Sequence, residues 1–286
     1  MEEKIDLVIA YVDNQEPIWR KTFIDYCVRT NNRVKIADLH SNRYEDIGLI
    51  KYHLKLVEKN LPWLNKIYLL LSNKEQAPKN LPSNCEIVLH NQFIPHKYLP
   101  TFNSTTIEMF LWNIPNLSEK FIYANDDMLP IKPLKHSDFF LDKTIKMNYS
   151  EENLKETSNV FRCQCVNSYF HILDLMGFKH DPYNFIKPQH TYTPMIKSHC
   201  IEIFELLKDF ILPNIGAFRT SEQHNQYIYP NYEKIKYGIL PSPIDFEYSD
   251  LRDSKVDLNH QIICVNNTFN KEYTKIFLGE ITKLCE

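Results

Sequence analysis

The chain opens on a short apolar run, Ile5-Asp6-Leu7-Val8-Ile9-Ala10-Tyr11-Val12, whose β-branched residues predict a buried strand. It breaks at Asp13-Asn14-Gln15-Glu16-Pro17, a turn signal in which Pro17 suits the first position of a helix. A second helix is expected from about Asn42. Asn42-Arg43-Tyr44-Glu45 has the spacing of a capping box, and Ile47, Ile50, Leu54 and Val57 then step by three and four. Residues 66–72 and 85–89 read as strands, 105–112 as a short helix, and 120–124 as a strand ending in Asn125-Asp126-Asp127. Strands alternating with helices predict an α/β fold with a largely parallel sheet. In such sheets ligands sit beyond the carboxyl ends of the strands. Asp13 and the Asp126-Asp127 pair are both expected at that edge, although they are distant in sequence.

The second half is less regular. Residues 150–157 are polar and read as an exposed loop or short helix. Residues 195–210 predict an amphipathic helix with Ile196, Cys200, Ile203, Phe204 and Leu207 on one face and Pro213 just past its end. A late strand is expected at 261–265 and a closing helix at 271–284. There is no internal repeat and no linker-like stretch. Residues 1–286 therefore read as one catalytic domain, with an α/β core over 1–140 and a lobe over 141–286.

Composition narrows the function. The 286 residues are 43% hydrophobic and 24% charged, ordinary for a folded protein with a sizeable core. Only 5 are glycine, against roughly 20 at average usage. No G-x-G-x-x-G or P-loop string occurs, which removes the Gly-rich phosphate-loop classes. A net charge of −3 lacks the basic excess of a nucleic-acid binder. No apolar run approaches the roughly 18 residues of a membrane span, and the amino end lacks signal-peptide order. A cytosolic protein is expected. The seven scattered cysteines do not resemble a disulfide framework. Cys163-Gln164-Cys165 would put two thiols on one side of a strand, but without a second pair no zinc site is predicted.

Several residues are suited to chemistry. Adjacent carboxylates at a strand end, Asp126 and Asp127, can ligate Mg²⁺ or Mn²⁺; the bland alternative is a polar turn. Glu108 is either an acid beside the site or the last member of a Thr105-x-x-Glu108 capping box, and spacing alone favours the cap. His190 lies in a stretch bracketed by Pro188 and Pro194, a rigid loop from which it can act as a base, a phosphate donor or a surface group. Arg219 can fork two bonds to a phosphate, although most arginines are surface charges.

Taken together these segments resemble the Stealth family, which contains bacterial capsular polysaccharide phosphotransferases and the animal GlcNAc-1-phosphotransferase. The resemblance begins at Ile5-Asp6-Leu7-Val8 with Tyr11-Val12-Asp13. It runs through Arg43-Tyr44-x-Asp46 and Val57-Glu58-Lys59-Asn60-Leu61-Pro62-Trp63. It is strongest from Leu99-Pro100-Thr101-Phe102-Asn103-Ser104-x-x-Ile107-Glu108 to Phe121-Ile122-Tyr123-x-Asn125-Asp126-Asp127, and looser around His190, Arg219 and Ile263-Cys264-Val265-Asn266. The first motif departs from the family's Val-Asp-Gly-Ser-Asp: Asn14 stands for Gly, which the turn tolerates, and Glu16 replaces the acid. Asn266-Asn267 stands where Asn-Asp is common, which weakens an acidic role there.

The resemblance implies a Rossmann-like, GT-A-like sheet flanked by helices, with an added C-terminal lobe. It implies transfer of a sugar-1-phosphate from a UDP-sugar such as UDP-GlcNAc to a polysaccharide hydroxyl, with UMP as by-product. In this reading His190, Asp127, Glu108 and Arg219 are catalytic and Asp126 and Asp127 hold Mg²⁺ or Mn²⁺. Asp13, Arg43, Asn103 and Asn125 bind substrate. The expected place of action is the cytoplasm, with peripheral attachment to capsule-assembly machinery at the inner membrane face and no nucleic-acid partner. The rivals are a metal-dependent GT-A-like glycosyltransferase, which would release UDP, and a silent glycan-binding or scaffold protein.

Overall fold

The computed structural model describes residues 3–40, 44–155, 159–251, 255–267 and 270–286. Its elements are, in order, β1 (Ile5–Ala10), α1 (Pro17–Arg29), α2 (Leu49–Asn60), β2 (Lys66–Leu71), β3 (Cys85–Leu89), α3 (Ser104–Glu108), β4 (Lys120–Asn125) and β5 (Met128–Pro130). They continue with β6 (Phe140–Leu141), β7 (Thr144–Ile145), β8 (Tyr149–Glu152), α4 (Val160–Leu175), β9 (Phe185–Pro188) and β10 (Thr193–Ile196). The chain ends with α5 (Lys197–Ile211), α6 (Ile228–Lys236), β11 (Phe246–Asp250), β12 (Ile262–Asn267) and α7 (Lys271–Leu284).

The central sheet has the order β10-β4-β1-β2-β3. Its first-half strands are all parallel, and β10 joins antiparallel to β4 at one edge. Alternation within β1 divides the core. Ile5, Leu7 and Ile9 face Ile50, Leu54 and Val57 of α2, while Val8 faces the opposite layer with Phe121, Tyr123 and the α5 stripe Cys200, Ile203, Phe204 and Leu207. The sheet is thus covered on both faces, as a parallel sheet requires. The expected α/β sandwich with a largely parallel sheet is what forms. A second sheet, β11-β12-β5, packs under α7 through Leu129, Ile263, Val265, Phe277 and Ile281. Two-stranded ladders β6-β7 and β8-β9 complete the second half.

Local chemistry accounts for the boundaries. Glu16 caps α1: its carboxylate accepts from the main-chain N–H of Ile18 and Trp19, both at 2.7 Å, and Pro17 supplies the first turn. Glu16 thus acts as a helix cap. The second helix starts later than its periodicity predicts, at Leu49. Gly48 precedes it at φ 82°, a left-handed conformation that glycine adopts without strain, and no side chain caps it. The expected capping box at 42–45 is therefore not the start of this helix, and Asn42 and Arg43 lie outside the described residues. The 105–112 helix is shorter than expected; α3 ends at Glu108. Its cap is Asn103, whose Oδ1 accepts from Thr105 N–H at 3.1 Å, so the Thr105–Glu108 capping box is overturned. Cys163-Gln164-Cys165 falls on α4, not on a strand; of the polar stretch at 150–157, residues 150–152 belong to β8 and 156–157 lie outside the described residues. Among the described residues no helix is long and apolar enough to cross a membrane.

Candidate active site

Strand register brings the distant acids together. Ala10 pairs with Asn125 across β1 and β4, so the turns that follow both strands emerge side by side at the carboxyl edge. Tyr11 and Val12 from one turn and Asp126 and Asp127 from the other line a cavity of about 490 Å³. Its remaining walls include the aromatic cluster of Trp19, Tyr44 and Phe102. Asp46 completes an acidic group: its Oδ2 accepts from the Tyr11 hydroxyl at 2.7 Å and its Oδ1 from Gly48 N–H at 2.7 Å. Asp13 lies just outside this wall. It is half-buried and its Oδ1 accepts from Gln15 N–H at 2.7 Å; burial raises its carboxyl above the usual range, against that bond.

Asp126 and Asp127 differ in environment. Burial first, then Asp127 and Asp46, hold the Asp126 carboxyl well above the usual carboxylate range. Asp127 is also raised by burial, but His190 and the Cys264 thiol pull it back. The reason lies in the second sheet. Cys264 pairs with Met128 across β12 and β5, and Val265 N–H donates to the Asp127 carbonyl at 3.0 Å. One ligand atom each from Asp127, His190 and Cys264 lie within 4.8 Å of one another. Burial keeps the Cys264 thiol protonated, so it serves Asp127 as a donor and not as a thiolate ligand.

These residues fit a hard divalent cation. The Asp127 Oδ1 atom is buried without a hydrogen-bond partner among the described residues, beside a second carboxylate whose ionised form is disfavoured. A cation relieves both, and Mg²⁺ or Mn²⁺ takes oxygen ligands of this type with water and phosphate completing the shell.

Behind the acidic group, His53 of α2 is fully buried and bonded through Nε2 to the Tyr192 hydroxyl at 2.5 Å. Burial drives its imidazole down to about 3, against a weaker opposing pull from the Asp126 main chain, so it stays neutral. His53 is thereby bonded to the segment carrying His190, which runs between β9 and β10.

A second cavity of about 780 Å³ lies on the far side of His190. Glu108 lines it and is fully buried; burial raises its carboxyl, opposed first by Arg219, then by Gln226 N–H and the Ser104 hydroxyl. Arg219 donates from Nη2 to Ser104 Oγ at 2.5 Å, so Ser104 links the guanidinium to the acid. The Arg219 Nε is buried and unpartnered among the described residues, a donor directed at no protein atom. Helix α4 sets this loop in place. Gln164 donates to Thr220 O at 2.9 Å, Asn167 to Ser221 O at 2.8 Å, and His171 Nδ1 meets His224 Nε2 at 2.8 Å. Asn103 contributes by bonding Gln223 Oε1 at 2.9 Å, and it also lines the first cavity.

The two cavities share a wall made of Ser104, Asn125, His190, Arg219 and Asn266. Asn125 accepts there from the Tyr123 hydroxyl at 3.1 Å. Of the residues picked out in the sequence, His190, Arg219 and Asn125 lie in that wall, Asp126, Asp127 and Asn103 line the first cavity and Glu108 the second. Arg43 lies outside the described residues. Sequence reasoning missed Asp46, Ser104, Cys264 and Tyr248. Asp46 stood in the Arg43-Tyr44-x-Asp46 string, but nothing local tied it to Tyr11. Cys264 became visible only through the pairing of β12 with β5.

The model for Stealth protein CR2, conserved region 2, matches residues 43–148. The chain is 30% identical over 292 residues to the capsular polysaccharide phosphotransferase LcbA of Neisseria meningitidis, covering 94% of this chain and 75% of that protein. It is 33% identical over 187 residues to eps5J of Streptococcus thermophilus, a protein of the same description, covering 63% and 77%. It is 28% identical over 327 residues to WcwK of Streptococcus pneumoniae, also so described, covering 93% and 90%. Among solved structures it is similar, with a TM-score of 0.44 and 12% identity over 98% of this chain and 95% of the other, to the galactosyltransferase LgtC in complex with donor and acceptor sugar analogs.

Proposed function

The chain belongs to the Stealth family of capsular polysaccharide phosphotransferases and is a phosphotransferase enzyme; from that premise we propose that it moves a hexose-1-phosphate or N-acetylhexosamine-1-phosphate from a UDP-sugar to a hydroxyl of a capsular or cell-surface polysaccharide, releasing UMP. The observation that carries this reading is the wall of Ser104, Asn125, His190, Arg219 and Asn266 between two cavities. These five residues border both cavities, so a group bound in either one lies beside them.

The donor pyrophosphate belongs in the first cavity, beside Asp126 and Asp127, which would hold Mg²⁺ or Mn²⁺. Such an ion, when bound, neutralises phosphate charge. A ring nitrogen of His190 takes the proton as the acceptor oxygen attacks the phosphorus bonded to the sugar. The bridging P–O bond breaks and UMP leaves with that electron pair. Charge balances: a donor of charge −2 and a neutral hydroxyl become UMP of charge −2, a phosphodiester of charge −1 and one proton. Asp127, close to His190, stabilises the imidazolium that forms. Arg219, with its unpartnered Nε, binds the oxygens of the transferred phosphoryl, and Glu108 with Ser104 orients it. Asn125, Asn103 and Asp13 serve donor binding, and Arg43 joins them on the resemblance alone. Residues 1–140 supply most of the donor side and residues 141–286 complete the site on the acceptor side. The reaction takes place in the cytoplasm, at the inner membrane face where capsule is assembled.

The test is ³¹P NMR with mass spectrometry after incubation with a panel of nucleotide-sugars, Mg²⁺ and a capsular acceptor. A phosphodiester in the glycan with an equal amount of UMP is the expected result. UDP with a phosphate-free glycoside overturns phosphotransfer in favour of glycosyl transfer, and donor binding without turnover marks a silent protein.

A further inference from the structure

Aromatic rings line both cavities, and charge is what separates the two. The first cavity carries Asp46, Asp126 and Asp127, a charged surface suited to a cation and phosphates. The second places aromatic rings from separate elements around its opening: Phe161 of α4, Tyr149 of β8 and Tyr248 of β11. Tyr248 is 45% exposed, its hydroxyl is bonded by Asn266, and its ring meets His190 edge-on at 6.0 Å. Lys234 lies over the Tyr149 ring at 4.9 Å and fixes it. Between these rings the amides of Gln189 and Gln226 carry no side-chain hydrogen bond within the described residues. Apart from Arg219 in the shared wall, the charged side chains of this cavity have partners. Lys187 pairs with Glu152 at 3.1 Å, and Glu108 is held by Ser104 and offset by Arg219.

We propose that this cavity is the acceptor subsite, and that it recognises a neutral saccharide by stacking sugar faces on Phe161, Tyr149 and Tyr248 while Gln189 and Gln226 bond its hydroxyls. The inference rests on the transfer reaction proposed above and names the chemistry of its second substrate. The volume of about 780 Å³ is on the scale of a ligand pocket. Flat apolar rings alternating with neutral amides match a pyranose, which is apolar on its faces and hydroxylated at its rim. A lipid tail would meet the amides unpaired, and a charged ligand would find no free counter-charge beyond the shared wall. Position supports the same assignment. A hydroxyl bound here lies beside His190, which also lines the first cavity.

Saturation-transfer NMR on the intact protein tests this. The probes are neutral, reducing-end-protected di- and trisaccharides of glucose, galactose, N-acetylglucosamine and N-acetylmannosamine, with UMP in excess to fill the donor side. At least one saccharide is expected to bind alongside UMP. Phe161→Ala, Tyr248→Ala and Tyr149→Ala are each expected to weaken it about tenfold, Tyr149→Phe to retain it, and all four to keep the parent affinity for UMP. A panel with no binder, a binder that UMP displaces, or binding indifferent to all three alanine variants overturns the subsite. The two readings fail separately. Release of UDP overturns phosphotransfer and leaves the saccharide result standing, whereas absent saccharide binding with UMP release intact overturns only the subsite.

Discussion

Replacing Arg219 by alanine removes a guanidinium that does two things at once: it faces the wall between the cavities and it offsets a buried acid. The two effects have different sizes and different cures. One terminal nitrogen is committed to Ser104, which leaves Nε and the other terminal nitrogen for phosphoryl oxygens. Two bonds to a charged group at about 1.5–3 kcal/mol each give roughly 10²–10⁴ in rate at 1.36 kcal/mol per decade. A loss of about a thousandfold in kcat/KM is therefore expected for Arg219→Ala. The same change leaves the Glu108 carboxylate buried with only the Ser104 hydroxyl and the Gln226 N–H. That costs roughly 1–3 kcal/mol of stability, a fall in Tm of about 2–10 °C. Adding Glu108→Gln removes the stranded charge. The double variant should regain the Tm and remain as slow as Arg219→Ala. The assay is UMP release under saturating acceptor, alongside a thermal melt of each variant. Recovery of the rate in the double variant would refute the reasoning, because Arg219 would then act only to neutralise Glu108. A loss below about tenfold in the single variant refutes the phosphoryl contact itself.

Other outcomes follow from the same geometry. EDTA should abolish turnover and Asp127→Asn should cost at least about a hundredfold; Mn²⁺ should raise the Tm of the parent but not of an Asp126→Asn, Asp127→Asn double variant, and full activity in EDTA would end the metal assignment. His190→Ala should lower kcat by about 10²–10⁴ with donor affinity nearly unchanged; collapse of donor affinity instead would make His190 a donor ligand, and Glu108 the next candidate base. Glu108→Gln should alter stability with pH in a stated sense. Because burial raises the folded carboxyl above the unfolded value near 4.3, the native state keeps its proton longer, and the parent loses stability as pH rises through that window. The Tm advantage of the glutamine variant should thus be absent below about pH 4 and grow above it; an advantage that shrinks with rising pH contradicts the buried, disfavoured carboxylate.

Elements carried by their own periodicity were legible in the chain. Strands β1, β2, β3 and β4 and helices α5 and α7 follow from apolar spacing, because their buried faces repeat with the element's own period. Errors cluster where a boundary depends on something other than apolar spacing. The start of α2 is set by left-handed Gly48, and α4 hides its helical character because its polar face, Gln164, Asn167 and His171, is spent holding the 220–224 loop. The site divides similarly. Asp126 and Asp127 announced themselves as a pair at a strand end. Asp46 and Cys264 could not, since one is tied in by a hydrogen bond from Tyr11 and the other by antiparallel pairing with β5. At Glu108 spacing alone favours a cap, and it is the family resemblance that makes it a site acid, because spacing does not record burial beside Arg219.

The placement of β10 bears on how the chain must be made. A ribosome delivers β4 long before Thr193–Ile196, and in the interval β8, α4 and β9 are synthesised while one side of β4 has no partner. That open side carries Phe121, Ile122 and Tyr123, an apolar strand with free backbone donors and acceptors, which invites pairing with a neighbouring nascent chain. A product halted anywhere before residue 193 keeps this exposed template permanently, whereas completion of β10 seals it and, in the same movement, seats His190 over the carboxyl edge. The covering of this edge and the placing of His190 between the two cavities thus depend on one late strand, and slowing synthesis after β4 lengthens the exposure.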